Sequence, residues 1–318
     1  MPRVSVAVVG TGISGAACAR ALEAADLDVV VLDRGRRAGG RMAVRTFDDR
    51  PVDTGASYLT TSDKRFGAVV DGWLRTGLAR PWTDRFHVAG PSGLGRTKAG
   101  PTRYGAPAGL RSLVLDLLAD VEVTQLHEVR HVGPGPTLDG TSYDAVVLAM
   151  PDPQAERLLD DELTQEREAV RGRAWEPVLA LAAGFADRRW DHDFDGCFVN
   201  DSPALGWIAD DGRRRGDDAA VLVAHSTSAF AEEWRHDPDS ATEQLLAATQ
   251  AVLHVADRPS WTFVQRWGMA RPAGPRDAPF HLGASGVGLC GDGWGIPKVE
   301  GAWLSGHLLG TALAQQLS

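Results

Sequence analysis

Val4-Ser5-Val6-Ala7-Val8-Val9, followed at once by Gly10-Thr11-Gly12-Ile13-Ser14-Gly15, is the stretch on which the fold turns. Its first six residues are a mostly β-branched run, readable as a buried parallel strand. Ala16-Ala17-Cys18-Ala19-Arg20-Ala21-Leu22 continues as a small-residue helix, and Val29-Val30-Val31-Leu32 is a second strand ending at Asp33. G-x-G-x-x-G thus has a strand before it, a helix after it and an acid about 20 residues on, the context of a dinucleotide fingerprint. Gly10 permits the tight turn, Gly12 lets a pyrophosphate reach the backbone, and Gly15 lets the helix lie close to the strand. The helix N-terminus offers unpaired N–H groups and partial positive charge. Asp33 is expected to accept from both ribose hydroxyls and to repel a 2′-phosphate. The motif alone does not separate NAD from FAD.

Working outward, the 318 residues are 43% apolar and 24% charged, enough for a sizeable core in one large or two modest domains and unlike a disordered chain. A net charge of −9 argues against a sequence-independent grip on nucleic acid or anionic lipid. Cys18, Cys197 and Cys290 are too few and too scattered for a disulfide framework, so a reducing, cytoplasmic setting is expected. No run approaches the roughly 18 apolar residues of a membrane span. Arg3, the run 4–9 and Ala17-Cys18-Ala19 imitate a signal peptide, but the fingerprint glycines explain that segment better and export is not expected.

Two segments extend the reading. Arg34-Gly35-Arg36-Arg37-Ala38-Gly39-Gly40-Arg41-Met42 follows the acid directly, and Asp53-Thr54-Gly55-Ala56-Ser57-Tyr58 comes next. Near the other end, Gly288-Leu289-Cys290-Gly291-Asp292-Gly293 reads as a strand closing in Gly-Asp, and residues 297–306 begin a small-residue helix. These segments resemble the FAD-contacting motifs of the flavin amine oxidase superfamily. The resemblance implies that Gly40 and Arg41 lie against the diphosphate and flavin, that Asp292 holds the ribityl chain, and that the helix opening at Val299 points at the flavin pyrimidine. The strand-like residues 121–132 would contribute Val129 to the adenine, and the strand 141–150 would end beside the dinucleotide at Ala149 and Pro151. The implied FAD contacts are then Gly10, Gly12, Ile13, Ser14, Gly15, Asp33, Arg34, Gly40, Arg41, Met42, Ala56, Ser57, Tyr58, Val129, Ala149, Pro151, Gly291, Asp292 and Val299, holding the cofactor without a covalent bond. Cys290 reads as a buried small apolar side chain.

The expected architecture is α/β: a Rossmann-like FAD-binding domain of the glutathione-reductase type, made of residues 1–80, 118–158 and 268–318. An α+β substrate domain, residues 81–117 and 159–267, is inserted so as to roof the flavin. Within the insert, 160–173 and 240–255 read as helices, the second opened by Ser240 with Glu243 at capping-box spacing. Residues 178–185, 219–225 and 261–267 read as strands, and Asp210-Asp211-Gly212-Arg213-Arg214-Arg215-Gly216-Asp217-Asp218 as a solvated loop.

Two motifs are decoys. Gly286-Val287-Gly288-Leu289-Cys290-Gly291 also spells G-x-G-x-x-G, but its glycines precede and interrupt the strand, so no separate NADPH domain is expected. His127-Glu128-Val129-Arg130-His131 spells H-E-x-x-H, which binds zinc only on a helix. On a strand the two histidines would lie about 13 Å apart, and no metal is expected.

Residues 104–110, 198–203, 265–272 and 299–306 resemble bacterial members of the renalase family, with Arg266-Trp267-Gly268 and Lys298 departing from its pattern. That resemblance implies an FAD oxidase acting on isomeric dihydronicotinamide dinucleotides (2- or 6-dihydro-NAD(P)), with O2 reduced to H2O2. No protein acid or base is then required, because the substrate is already a hydride donor. Trp207, His225, Trp267 and Trp294 are the pocket candidates, although each tryptophan alone reads as core. The rival reading is an amine oxidase acting on a small amine or polyamine. Its usual flavin-facing lysine finds no clear match among Lys64, Lys98 and Lys298. A non-catalytic flavin-bound sensor and an NAD-dependent dehydrogenase are the readings from other classes.

Overall fold

The computed structural model describes residues 4–90 and 93–318. Arg3, part of the leader-like segment, lies outside them. The chain divides into two compact units: Met1–Met42, Leu113–Trp175 and Arg271–Ser318 form the first, Ala43–Ser112 and Glu176–Ala270 the second.

The first unit is built on a six-stranded sheet. Its order is His281–Leu282, Val287–Cys290, Ala145–Ala149, β1 (Ser5–Val9), β2 (Asp28–Leu32), Glu122–Thr124. All neighbours are parallel except the His281–Leu282 edge. Val6, Ala7 and Val8 have no exposed surface, as the continuous apolar run requires of a strand covered on both faces. Helix α1 (Ile13–Glu23) leads from β1 to its parallel neighbour β2, a short βαβ crossover.

Close helix packing locks the two ends of the chain together. The helix Val299–Leu317 buries Ala302, Trp303, Gly306, Leu309, Gly310 and Leu313, the three-and-four spacing of one apolar face. A Cβ on Gly306 would lie 1.8 Å from the Ser14 carbonyl oxygen, and one on Gly310 would lie 2.6 Å from that of Cys18. Glycine here allows backbone to touch backbone.

The second unit carries a seven-stranded sheet: Trp261–Pro272, Trp175–Gly184, Val221–Ser226, Leu205–Asp210, Gly196–Val199, Arg80–Gly90, Gly93–Gly105. Leu179, Leu181 and Ala183 alternate inward beside Leu222 and Ala224, and the helix Thr242–Leu253 covers that face with Leu245 and Leu246.

Several expectations need correction. Residues 43–80 belong to the second unit, not to the dinucleotide-binding one, because the hairpin Val44–Phe47/Arg50–Asp53 packs there: Phe47 stacks on Trp261 at 4.2 Å. Residues 159–175 and 113–117 join the first unit, where Leu159, Leu163 and Val170 enter its core. Residues 121–132 are not one strand. Strand Glu122–Thr124 ends early and 125–131 run as loop, with Leu126 at φ 59°. The H-E-x-x-H residues therefore lie on neither helix nor strand, and His131 Nε2 pairs with Asp160 at 2.9 Å. The helix expected over 160–173 is Thr164–Val170. Ser240 does not open the next helix: its hydroxyl bonds Asp237, and a short 3₁₀ turn, Asp239–Ala241, precedes Thr242. Residues 210–215 are not a solvated loop, as described below; of the stretch 210–218 only Gly216, Asp217 and Asp218 are exposed.

Candidate functional site

β1 ends at Gly10, whose φ of 113° and tight surroundings exclude a side chain: a Cβ would meet the Ala149 carbonyl oxygen at 2.6 Å. Gly15 is as constrained, with the Gly10 carbonyl oxygen 1.9 Å from a Cβ position. At Gly12, by contrast, a Cβ would meet nothing within 4 Å. Gly12 is also the N-cap of α1, which has neither a side-chain cap nor an acid in its first turn. Its leading N–H groups thus face outward at the C-terminal edge of the sheet. β1 lies between β2 and Ala145–Ala149, so the chain leaves it in one direction and returns on the other side. Such a switch point is where open parallel sheets take nucleotides.

Asp33 holds this turn in shape. Oδ2 accepts from the Thr11 amide at 2.7 Å and from the Thr11 hydroxyl, and Oδ1 accepts from the Gly35 amide at 2.6 Å. Three of about four acceptor positions of the carboxylate are used by protein. One remains on Oδ1.

Gly40–Met42 forms a 3₁₀ turn that brings Gly40 against Gly12: a Cβ on Gly40, at φ 51°, would lie 3.2 Å from the Gly12 Cα. From this turn Arg41 donates to Asp292, Nη1 to Oδ2 at 2.7 Å and Nη2 to Oδ1. The guanidinium also lies 5.0 Å from the Trp175 ring centre. Asp292 follows the strand Val287–Cys290, and the preceding Gly291 (φ 145°) donates its amide to the Ser305 hydroxyl at 2.9 Å. The helix Val299–Leu317 begins after Lys298, whose side chain makes no capping bond. Arg41 and Asp292, assigned by resemblance to the diphosphate and the ribityl chain, thus also hold each other.

The other sequence candidates are dispersed. Ile13, Ser14 and Met42 are buried, Arg34 is exposed, and Ala149 packs on Gly10. Pro151 caps the helix Asp152–Glu156. Val129 is buried in the core of the first unit, as is Trp294, whose ring carries the Arg276 guanidinium at 3.9 Å. The His281 ring also lies nearly parallel to Trp294, with centroids 6.1 Å apart. Burial pushes the Cys290 thiol up to about 12, with the Ser14 hydroxyl acting in the opposite direction.

Ala56, Ser57 and Tyr58 lie in the second unit. Ser57 accepts from Trp207 Nε1 at 3.0 Å, and Tyr58 packs against Trp82, Phe86 and Trp207. Trp207 stands opposite His225 in the sheet, and Trp267 Nε1 donates to the Thr54 carbonyl at 2.7 Å. This unit therefore brings together Trp207, His225 and the 54–58 segment, and Trp267 reaches that segment from the sheet edge.

Sequence reasoning missed what fixes that segment. Asp211–Arg215 is a short helix, and Asp211, Arg214 and Arg215 are almost fully buried. Arg214 donates to the Ser57 carbonyl at 2.9 Å and pairs with Asp211, while Arg215 bonds Asp53 at 3.0 Å and Asp211 at 3.1 Å. Asp53 Oδ1 accepts from the Leu110 amide at 2.9 Å. Burial alone would raise the Asp211 carboxyl, but Arg214, Arg215 and Arg50 outweigh it and bring it down to about 2. Asp53 goes the other way: burial raises it against the pull of Arg215 and Arg214. A charge run flanked by glycines resembles a surface loop because the carboxylates that neutralise it are distant in sequence or alternate with it.

Comparison with known proteins agrees with this geometry. Residues 8–73 match the NAD(P)-binding Rossmann-like domain family. Across 99% of this chain and all of the other, the structure superposes on cyclohexylamine oxidase from Brevibacterium oxydans IH-35A, with a TM-score of 0.80 and 14% identity. The fold is that of the FAD-dependent amine oxidases. Putrescine oxidase bound to putrescine gives 0.75 at 15% identity over 99% of this chain and 98% of that one, and a candidate protoporphyrinogen oxidase from Exiguobacterium sp. 255-15 gives 0.79 at 15%, over 99% and 100%. In sequence, polyamine oxidase 4 of Oryza sativa subsp. japonica and a polyamine oxidase 4 homologue of Arabidopsis thaliana are each 49% identical over 55 residues. Those residues are 17% of this chain and 11% of each relative.

Among the described residues no helix is long and apolar enough to cross a membrane, and no three His, Cys, Asp or Glu side chains are grouped to hold a metal.

Proposed function

We propose that the chain is an FAD-dependent oxidase that converts 2- or 6-dihydro-NAD(P) to aromatic NAD(P)+ while O2 is reduced to H2O2. The observation that carries the flavin part is the Arg41–Asp292 pair, which joins the Gly-Gly-Arg turn to the Gly-Asp turn beside an uncapped α1. The polyamine oxidase and putrescine oxidase names among the relatives support an oxidase. The renalase-type segments support the dihydronicotinamide substrate.

The residues present fit the cofactor. Gly12 leaves room for a diphosphate, to which the leading amides of α1 would donate, and the free acceptor position of Asp33 Oδ1 would take a ribose hydroxyl. The start of helix Val299–Leu317 has no side-chain cap, and its partial positive charge, offset in part by the buried Glu300 of the first turn, would favour negative charge gained by a flavin pyrimidine in this reading. When bound, FAD supplies the two-electron acceptor for the substrate hydride and returns the electrons to O2. Because regained aromaticity drives hydride loss, the chain's own task is to orient the substrate and exclude water. We place the reaction in a reducing cytosol, in keeping with three buried free cysteines.

The names of the relatives favour a second reading, oxidation of a small amine or polyamine. Anaerobic stopped-flow mixing of the yellow holoprotein with reduced nicotinamide isomers and with putrescine, spermidine and cyclohexylamine tests both. Flavin bleaching by the isomers is the expected result. Bleaching by an amine alone overturns the substrate, and a colourless protein that takes up no FAD overturns the flavin. Asp33→Ala and Asp292→Ala are each expected to lose FAD; retention by both would remove the cradle from the scheme.

A further inference from the structure

Within the first unit, a closed path of contacts runs behind the Arg41–Asp292 pair, and the dinucleotide motifs do not account for it. Asp152 opens the helix Asp152–Glu156 just past the strand Ala145–Ala149 and is only 2% exposed. Its Oδ2 accepts from Trp175 Nε1 at 2.9 Å, and its Oδ1 pairs with Arg276 Nη2 at 2.7 Å. Trp175 is half-buried at the start of the strand Trp175–Gly184, where the Ala273 amide holds the preceding Ala174 carbonyl at 3.0 Å. The Arg41 guanidinium lies over the Trp175 ring, 5.0 Å from its centre. The edge of the same ring reaches Gly293, the residue after Asp292: a Cβ there would lie 3.1 Å from Trp175 Cζ2 and 2.9 Å from Asp152 Oδ2. Because Arg41 also donates to Asp292, the path Asp152–Trp175–Arg41–Asp292–Gly293 returns to its start.

An arginine side chain is long and flexible, and its two-pronged bond to a carboxylate forms only when the guanidinium plane is aligned. The face of an aromatic ring restricts that plane by cation–π attraction. It does so without taking an N–H donor and without neutralising the charge, as a second carboxylate would. The carboxylate of Asp152 is instead turned to Trp175 Nε1 and matched by Arg276, which itself lies 3.9 Å from the Trp294 ring centre. A phenylalanine in place of Trp175 would offer a ring face but no donor through which Asp152 could aim it.

Resting on the flavin part of the reading above and not on its substrate, we propose that Trp175 is a positioning residue of the FAD cradle: aimed by Asp152, its ring holds the Arg41 guanidinium in the orientation that grips Asp292. Trp175 acts through Arg41, so its effect on FAD requires that arginine. The crowding at Gly293 gives the arrangement its rigidity, since the ring edge and the Asp152 carboxylate both press on the backbone that carries Asp292.

The test is fluorescence titration of the full-length apoprotein with FAD, in wild type, Trp175→Phe, Trp175→Leu, Arg41→Met and the two double variants. Loss of the ring face predicts that Trp175→Leu weakens FAD binding about 3- to 30-fold, whereas Trp175→Phe, which keeps a ring but loses the bond to Asp152, costs about 2- to 5-fold. In the Arg41→Met background neither substitution should weaken binding further, because the group being positioned is gone. Unchanged binding in Trp175→Leu overturns the proposal. So does an equal loss with and without Arg41, which would make Trp175 a structural support alone. Should Trp175→Leu fail to fold, Trp175→Phe carries the same comparison: a loss that vanishes with Arg41→Met supports positioning, and an unchanged Kd or an equal loss in both backgrounds overturns it. If wild type takes up no FAD, the flavin reading fails by itself and urea unfolding decides the positioning. The coupling between Arg41→Met and Asp292→Asn must then be smaller with Trp175→Phe than with tryptophan in place, and an equal coupling overturns the proposal.

Discussion

Arg41 grips both oxygens of Asp292 across 251 residues of sequence, with Nη1 2.7 Å from Oδ2. The arginine side chain is 29% exposed and the aspartate 14%, so the pair is shielded enough to matter. It fastens the turn after β2 to the turn after Val287–Cys290, the two segments that would hold the flavin dinucleotide in the proposed function.

The first expectation follows from that geometry. Arg41→Ala and Asp292→Ala should each weaken FAD retention by about tenfold or more, and the double variant should cost less than the sum, with a coupling of about 1–3 kcal/mol. Fluorescence titration of apoprotein with FAD measures it; full additivity would show that the pair is incidental.

Gly306 tests how tightly the chain ends must approach. Any side chain there collides with the Ser14 carbonyl at the start of α1. Gly306→Ala should lower stability by about 1–3 kcal/mol, more for valine, and loosen FAD through the displaced α1. Thermal melting with and without added FAD reads both; a neutral Gly306→Ala would contradict the backbone contact.

Asp211 links the second unit to pH. Its folded value of about 2 lies below the ordinary 3.8, so it contributes stability that is complete above about pH 4 and lost as pH falls toward 2. Asp211→Asn should flatten the acid limb of the stability curve. It should also cost about 3–5 kcal/mol at pH 7, because Arg214 and Arg215 lose their shared carboxylate. Urea unfolding between pH 2.5 and 7 measures both effects, and an unchanged acid limb would exclude Asp211 as its source.

Cys290 separates tight binding from covalent attachment. With its thiol held up to about 12 by burial, it is a poor nucleophile at neutral pH. Acid precipitation should release all the flavin, and iodoacetamide should leave native Cys290 unmodified. Yellow precipitate would reverse this.

Much of the first unit was legible in the primary structure. β1, α1 and β2 follow from a β-branched run, three spaced glycines and a terminal acid, all local features whose physics is complete within 30 residues. Asp292 and Val299 were legible for the same reason, a strand ending in Gly-Asp before a small-residue helix. The H-E-x-x-H stretch reads as strand because Val121, Val123 and Val129 alternate, but the pairing ends at Thr124 and Leu126 then takes a left-handed conformation. Residues 43–80 read as part of the dinucleotide-binding domain but belong to the other unit, because motif order along the chain does not report which core a hairpin joins.

What the amino-acid order determined alone is the nucleotide-binding turn and the kind of fold that must surround it, since steric limits on glycine and the pattern of apolar residues act over short distances. Only the tertiary structure decided that Arg41 meets Asp292 and that Arg214 and Arg215 lie buried against Asp211 and Asp53. Charge is long-ranged and its partners are set by packing, so whether an arginine faces water or a carboxylate is not written in its neighbours.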